Sequence, residues 1–327
     1  MDREEFRKAV FDRDGNKCVV PGCSGAVQDA HHIIERSLWT DPSEEGGYIL
    51  DNGVSVCGVH HIHAEKNFIP PQAFRYWAHI GRVVLPKGLD PKNIYDKWGK
   101  VAPRPNRVQI KYPHTPYLPF SPSVDEKDLA DAGYADVQDL VQKPLVATVK
   151  MDGSNSTWTT EKVAARNAHD APHKSFDLAK ARHAKLKHMI PSNLQLFGEW
   201  LYARHSIHYQ GRMALGSLFQ LFGVYDRDYC LWLEWAAVEH WARVLGVETV
   251  PVVERMECAE AWELEKRLTE IGAEIIRQGH EGLVVRSAYP FHWGDFSRNV
   301  VKFVRRGHVV TSEHWQYQSL VKNEVRK

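Results

Sequence analysis

The 327-residue chain lacks any unbroken apolar run of the roughly 18 residues that a membrane-spanning helix requires, and its mean hydropathy is −0.44. Its first residues, Met1-Asp2-Arg3-Glu4-Glu5-Phe6-Arg7, lack the apolar core and small-residue cleavage site of an export signal. A cytoplasmic, reducing setting with no membrane partner is therefore expected. Cysteine is also sparse, with five in all, which argues against a disulfide framework in that setting. Three of the five, Cys18, Cys23 and Cys57, stand among histidines near the N-terminus, and metal binding explains that crowding better than disulfides do. Net charge is nearly absent at +1, and no internal repeat or low-complexity tract is visible. With 43% hydrophobic residues, the length suits one large domain or two ordinary ones, and two are expected.

The charge that is present is unevenly placed. Residues 1–85 carry 9 basic and 12 acidic side chains, residues 86–120 carry 7 and 2, and the remainder 26 and 27. A second basic excess lies at Arg298, Lys302, Arg305, Arg306, Lys322, Arg326 and Lys327, against Glu313 and Glu324. Both stretches suit phosphate contacts. Prolines recur from Pro86 to Pro122 at a density that prevents a continuous helix or central strand. The organisation expected is a Cys/His-rich module over 1–85, a basic connector over 86–123, a larger domain over 124–310 and a tail over 311–327. In the larger domain, β-branched and aromatic enrichment predicts strands near 145–150, 156–167, 194–201, 218–226, 247–253, 281–286 and 299–305. Helices are predicted over 177–189, 235–245 and 259–271, the last stopped by Gly272. Strands that often follow one another directly, with helices inserted, indicate an α+β fold with largely antiparallel sheets.

In the first module, Cys18-Val-Val-Pro-Gly-Cys23 and Cys57-Gly-Val-His60 can converge as the Cys3His set of a closed zinc site. So small a module also needs such a staple. Between and beyond the knuckles come Asp29-Ala30-His31-His32, then Asp51-Asn52-Gly53, then His60-His61. This order resembles the HNH endonuclease family, over roughly residues 10–68. The resemblance implies a ββα fold around one catalytic divalent ion, with His31 and His61 as metal ligands, His32 as general base and Asn52 orienting the histidine loop. Glu65 falls one helical turn after His61, where a solvated role is favoured over a ligand role. A module that keeps zinc and fold but only grips nucleic acid is the competing reading.

In the larger domain, Lys150-Met151-Asp152-Gly153-Ser154-Asn155 puts a lysine at a strand end with a carboxylate two residues on. It is followed by Arg166-Asn167, Phe197-Gly198-Glu199-Trp200, Phe222-Gly-Val-Tyr225-Asp226, Glu281-Gly282-Leu283-Val284-Val285-Arg286 and Val301-Lys302-Phe303. The series, from about 143 to 310, resembles the ATP-dependent RNA ligases of the covalent nucleotidyltransferase superfamily, of the nick-sealing type. The resemblance implies that Lys150 attacks ATP and carries AMP as a phosphoramidate. An amine that attacks phosphorus must be unprotonated, so a depressed Lys150 pKa is expected. Glu199 and Glu281 are expected to hold hydrated Mg²⁺ or Mn²⁺ or the ribose, with Asn155 adding a neutral oxygen. Lys302 and Arg166 are expected at phosphates, and Phe222 beneath adenine. Two departures from the family pattern stand out: Gly223 in place of Asp after the aromatic of the middle motif, and Val304 in place of a second lysine.

The expected protein is thus an ATP-dependent RNA ligase that joins 3′-hydroxyl and 5′-phosphate ends, fused to a zinc-bound HNH nuclease. Its partner is RNA or another nucleic acid with such ends. Two other readings compete: a nuclease whose larger domain only binds nucleotide or nucleic acid, and a ligase with a non-catalytic zinc adaptor. The 17 or so residues after Val309-Val310 are too few for a separate oligonucleotide-binding barrel, so recognition is expected from the module, connector or tail.

Overall fold

The computed structural model describes all residues except 107–108, 125, 167–170, 172, 306–319 and 327. Asn167 and Arg306, singled out in the sequence, lie outside the described residues, as does most of the expected tail. No helix among the described residues is long and apolar enough to cross a membrane. Two units emerge, Met1–Pro105 with Pro290–Gly294, and Asn106–Tyr289 with Asp295–Lys327.

The first unit opens with α1 (Arg3–Arg13), whose start is fixed by Asp2: its carboxylate accepts from Glu4 N and Glu5 N, and Glu5 reaches back to the Asp2 backbone. Phe6 and Val10 are its buried face. Strands β1 (Asp29–His32) and β2 (Gly53–Val56) pair antiparallel, with His31 opposite Val54 and His32 opposite Gly53. Helix α2 (Gly58–Glu65) follows directly, then α3 (Pro71–Trp77) with proline at its first position, and the short ribbon β3 (Ile94–Tyr95) and β4 (Val101–Ala102). Proline density alone predicted a connector from residue 86. Within that segment, Tyr95 joins Ile34, Trp39 and Val84 in a hydrophobic cluster with Leu85 and Leu89 against it, and Lys97 is buried. Prolines end strands and helices without preventing a segment from packing, and the short β3–β4 ribbon is what this composition permits.

In the second unit, α4 (Glu126–Ala132) precedes β5 (Leu145–Val149), β6 (Ser154–Trp158), β7 (Val163–Ala165), α5 (Asp177–Leu186), β8 (Leu194–Trp200) and β9 (Phe219–Asp226). Then come β10 (Leu231–Trp232), α6 (Trp235–Leu245), β11 (Glu248–Thr249), β12 (Val252–Met256), α7 (Ala261–Arg277) and β13 (Gly282–Ser287). After β14 (Phe291–His292), which belongs to the first unit, β15 (Val300–Val304) closes the order. One sheet runs β10-β9-β8-β6-β7, with β11 lying parallel to β9, and a second runs β12-β5-β13-β15, antiparallel throughout. The α+β class and the antiparallel sheets follow the sequence reading. The predicted strand 156–167 is instead the hairpin β6–β7. The helix predicted to stop at Gly272 continues to Arg277, because that glycine serves a close approach: a Cβ there would lie 2.4 Å from the Phe303 ring. Chain passing from β5 to β6 crosses from the second sheet to the first, and the turn between them is Lys150–Gly153.

Candidate functional site

In the second unit, β5 ends at Val149 and Lys150 N donates to Gly282 O at 2.8 Å. The Lys150 ammonium is 2.7 Å from Glu281 Oε1, with the lysine side chain 27% exposed and the glutamate 7%. Gly282 makes this possible. Its φ is +152°, and a Cβ would lie 1.9 Å from Phe303 O, so no other residue can bring β13 out of Glu281 at this angle. Glu199, near the end of β8, accepts from Gly153 N at 3.1 Å and stands opposite Asn155 in the β6–β8 register. The Asn155 Oδ1 is buried and has no hydrogen-bond partner among the described residues. A buried oxygen left without a donor, opposite the Glu199 carboxylate, fits a hydrated divalent cation. Lys302 on β15 faces Val284, which faces Thr148 on β5. With a period of two, Lys302 and Lys150 therefore share one face of the sheet. The Lys302 ammonium lies 3.9 Å from the centre of the Tyr117 ring.

The electrostatics depart from the expected depressed lysine. Burial pulls the Lys150 ammonium down, but Glu281 outweighs it, with Glu199 and Asp152 adding to the effect, and its pKa is held above the ordinary value. Burial pushes the Glu199 carboxyl up to about 8 against the pull of Lys150. Without nucleotide, then, Glu281 is the partner of the protonated lysine, and an attacking amine must first lose both that partner and its proton.

The other predicted positions divide. Phe222 is half-buried and forms the bulge in the β8–β9 ladder, where Phe197 opposes Gly223 and Gly198 opposes Leu221. Bulges re-aim side chains, and this one brings the Phe222 ring to 4.9 Å from the Tyr112 ring. Arg166 is exposed, with Nη2 3.2 Å from His114 Nδ1. Arg286, quoted within the Glu281 motif, is a buried strut that donates to Phe222 O, Leu233 O and Ser287 O. Sequence reasoning missed Tyr117, Ser206 and Tyr209. Asp152 Oδ2 accepts from Ser206 N, Ser206 Oγ and Ile207 N, and Tyr209 OH accepts from Asp152 N at 2.8 Å. Ser206 and Tyr209 lie more than fifty positions from the turn they hold, and Tyr117 stands against Lys302 from more than 180 positions away, so spacing within a motif does not announce them.

The first unit contains two clusters. The Sγ atoms of Cys18, Cys23 and Cys57 and an imidazole nitrogen of His60 lie within 4.8 Å of one another. Cys23 and Cys57 are 3.8 Å apart, and His60 Nδ1 is 3.3 Å from Cys18 and 3.2 Å from Cys57. A tetrahedral ion with metal–sulfur bonds of about 2.3 Å would set sulfurs about 3.8 Å apart. The donor set and its edges therefore fit zinc. Burial lifts the Cys18 thiol to about 12 and lowers His60 to about 4, as expected of ligands with no cation among them.

The second cluster is His31, His61 and Glu65. Glu65 Oε1 is 3.4 Å from His31 Nδ1, 3.2 Å from His61 Nε2 and 2.7 Å from Lys97 Nζ. Helical spacing placed Glu65 beside His61, and the fold brings His31 and Lys97 to the same oxygen while leaving the glutamate side chain 40% exposed. His61 Nδ1 donates to Asp29 Oδ2 at 3.0 Å, the arrangement that orients a metal-binding imidazole. The alternation Asp29-Ala30-His31 held the signal for this, since both residues face one side of β1. Hydrogen bonding to His31 and the nearby Lys97 hold Glu65 down at about 2, while burial lowers His31 to about 4. His32 is stacked on Phe6 at 4.7 Å, its Nε2 has no hydrogen-bond partner among the described residues, and burial lowers it to about 4, so it is neutral at pH 7. Asn52 is wholly buried: Oδ1 accepts from Ile34 N at 2.9 Å, and Nδ2 donates to Ile34 O and Gly47 O. It fixes the chain just after His32. A cleft of about 680 Å³ opens over the histidines, with Arg3, Arg7 and Arg36 on its walls.

Comparison with known proteins bears on the second unit. Residues 143–304 match the RNA ligase family model. The matched segment holds Lys150, Asn155, Arg166, Glu199, Phe222, Glu281 and Lys302. Among solved structures, the chain is similar to a Naegleria gruberi RNA ligase with ATP and Mn, at 18% identity over 53% of this chain and 52% of that one, with a TM-score of 0.37. It is also similar to an archaeal ATP-dependent RNA ligase, at 14% identity over 76% and 64% of the two chains, with a TM-score of 0.41. Among curated proteins, anthranilate N-benzoyltransferase protein 3 of Dianthus caryophyllus is 30% identical over 145 residues, 42% of this chain. The chain spans about a third of that protein (31%) and about half of the Naegleria ligase (52%).

Proposed function

We propose that the matched segment is an active ATP-dependent polynucleotide ligase with Lys150 as its nucleophile. The observation that carries this reading is the meeting of Lys150, Glu281 and Glu199 at the turn between two sheets, within the segment that matches the family. In the reaction the Lys150 Nζ–Pα bond forms as the bond from Pα to pyrophosphate breaks. The Lys150 ammonium parts from Glu281 and passes its proton to water before Nζ attacks. Glu199, Glu281 and Asn155 would hold Mg²⁺ or Mn²⁺, which when bound supplies charge stabilisation at the phosphates. Lys302, on the Lys150 face of its sheet, neutralises charge on the transferring group. AMP then passes to a 5′-phosphate, and a 3′-hydroxyl displaces it. Intact-mass measurement after incubation with ATP and Mg²⁺ should show one added AMP that Lys150→Ala abolishes. Wild-type protein free of pre-bound AMP that gains no adduct would overturn the assignment.

For the first unit we read a zinc-stapled HNH nuclease module. The convergence of His31, His61 and Glu65 beside a neutral His32 favours it over an adaptor role. His31, His61 and Glu65 would hold a divalent ion, and His32 would take a proton from the attacking water. Nicking that leaves 5′-phosphate and 3′-hydroxyl ends, and is lost in His32→Ala while adduct formation at Lys150 persists, is the expected result. No cutting of duplex, single strand or hybrid with Mg²⁺, Mn²⁺ or Ni²⁺ would leave the adaptor reading in its place. The module over 1–85, the connector over 86–123, the ligase domain over 124–310 and the tail beyond it remain the proposed functional parts.

A further inference from the structure

We propose that Asn323, far from Lys150 in sequence, is a positioning residue for the adenylylation site. This rests on the ligase reading of Lys150. Residues 321–326 run along the loop that follows β8: Asn323 N donates to Tyr202 O, Glu324 N to Tyr209 O and Arg326 N to Leu215 O. At the centre of this seam Asn323 is 7% exposed, and its side chain joins both ends of the loop. Its Nδ2 donates to Leu201 O at 2.9 Å and to Ala203 O at 3.3 Å, and its Oδ1 accepts from Tyr209 N at 3.0 Å.

Both ends lead to the candidate site. Leu201 lies two residues beyond Glu199 on the same run of chain, so one end fixes where β8 delivers that carboxylate. Tyr209 leads to the nucleophile turn, since its hydroxyl accepts from Asp152 N and the neighbouring Ser206 and Ile207 hold the Asp152 carboxylate. Gly153 N and the β6–β8 pairing already tie one side of the turn to Glu199. The Asn323 side chain braces the Asp152 side of the same turn against the end of β8, so the turn is held from both sides to the few tenths of an ångström that an in-line attack needs.

The test is single-turnover formation of the protein–AMP adduct, measured against ATP concentration, in Asn323→Ala, Tyr209→Phe and the double variant. Tyr209→Phe removes only the hydroxyl that accepts from Asp152 N. Asn323→Ala should slow adduct formation at saturating ATP by about 10- to 100-fold, the scale of a misplaced reacting group. The ATP concentration at half-saturation should change little, because the nucleotide's own contacts remain. The double variant should be about as slow as the slower single one, since both act through the same turn. Multiplying effects, or a loss confined to ATP affinity, would overturn the inference and leave Asn323 a structural residue. Should Asn323→Ala fail to fold, Asn323→Asp, which keeps the acceptor for Tyr209 N and loses the amide donors, carries the same comparison. Wild-type protein that forms no adduct would overturn the ligase reading and this inference together. An adduct formed equally fast in wild type and Asn323→Ala would overturn this inference alone.

Discussion

The two candidate sites solve opposite electrostatic problems. At the His31–His61–Glu65 cluster of the first unit, burial strips protons from imidazoles: His31 and the neighbouring His32 are lowered to about 4, and one carboxylate, Glu65, is held down at about 2. Neutral nitrogens and an ionised oxygen are the forms that accept a cation, so this site is ready for metal before metal arrives. In the second unit, an ion pair keeps Lys150 protonated and burial lifts Glu199 to about 8. Each group is then in the form opposite to the one that nucleophilic attack and cation binding would need. The difference teaches that burial acts on each group according to its surrounding charges: the carboxylate 3.4 Å from His31 is shared with the Lys97 ammonium, whereas Lys150 meets Glu281 at 2.7 Å with Glu199 and Asp152 behind it.

The largest effect that would test the contrast lies in the first unit. Zinc binding contributes on the order of 10 kcal/mol to small modules that depend on it. Cys57→Ser should therefore abolish stoichiometric zinc and strip hydrogen-exchange protection from β1, β2 and α2, while the sheets of the second unit stay protected. Elemental analysis and exchange mass spectrometry read both outcomes. Zinc retained at full stoichiometry in a Cys18/Cys57 double variant would place the ligands elsewhere.

A smaller effect is expected at Asn52. Its alanine variant leaves the Ile34 N–H and the Ile34 and Gly47 carbonyls without their side-chain partner in a wholly buried position. The cost should be about 3 kcal/mol, the scale for stranding buried polar groups, and chemical denaturation with zinc kept saturating measures it. A loss below about 1 kcal/mol, the worth of a single ordinary hydrogen bond, would mean that water replaces the amide and that the histidine loop is not fixed by it.

These two residues also mark how far the sequence could be read. Cys57 and Asn52 were legible because each sits in a short motif whose spacing carries its partners along. The strands of the second unit were legible for a similar reason, since Leu194–Trp200 and Phe219–Asp226 announce themselves by β-branched and aromatic enrichment. Illegible were contacts that only the tertiary fold creates. Lys97 reaches Glu65 from a segment whose prolines suggested a connector, and Asn323 reaches Leu201 across more than a hundred residues. The charge state of Lys150 was also misread, because the motif shows the lysine but not that Gly282 aims Glu281 at it.

A third test concerns a second buried lysine within the second unit itself. Lys143 is buried, with Nζ 3.0 Å from Asn299 Oδ1, and burial lowers it to about 8 from an ordinary 10.5. Between those two values the unfolded chain holds a proton that the folded chain does not, so wild-type stability should rise with pH there, by at most about 3 kcal/mol. Lys143→Met cannot titrate. Its stability relative to wild type should therefore fall steadily from pH 8 to pH 10.5, as read by denaturation at each pH. A flat difference would show that Lys143 stays protonated through its bond to Asn299.

The smallest expected effect is the most direct on the contrast, since it asks whether Glu281 alone separates Lys150 from the histidines. Glu281→Gln keeps the shape and an acceptor oxygen but removes the charge 2.7 Å from the ammonium. What remains is burial, which favours the neutral amine, opposed only by the more distant Glu199 and Asp152. The Lys150 pKa should then fall, and because one unit of pKa is worth tenfold in the free-amine fraction, its labelling by a small acylating reagent near pH 8 should rise about tenfold or more. Mapping labelled Lys150 by peptide mass spectrometry, without ATP, reads this independently of catalysis. Adenylylation of the same variant should nevertheless be slower, because the carboxylate proposed to meet the cation is gone. Faster labelling with slower adenylylation would separate the two roles of Glu281. Unchanged labelling would mean that Glu199 and Asp152 suffice to hold the proton, and the opposition between the two sites would then rest on the whole acidic surround of Lys150 rather than on one ion pair.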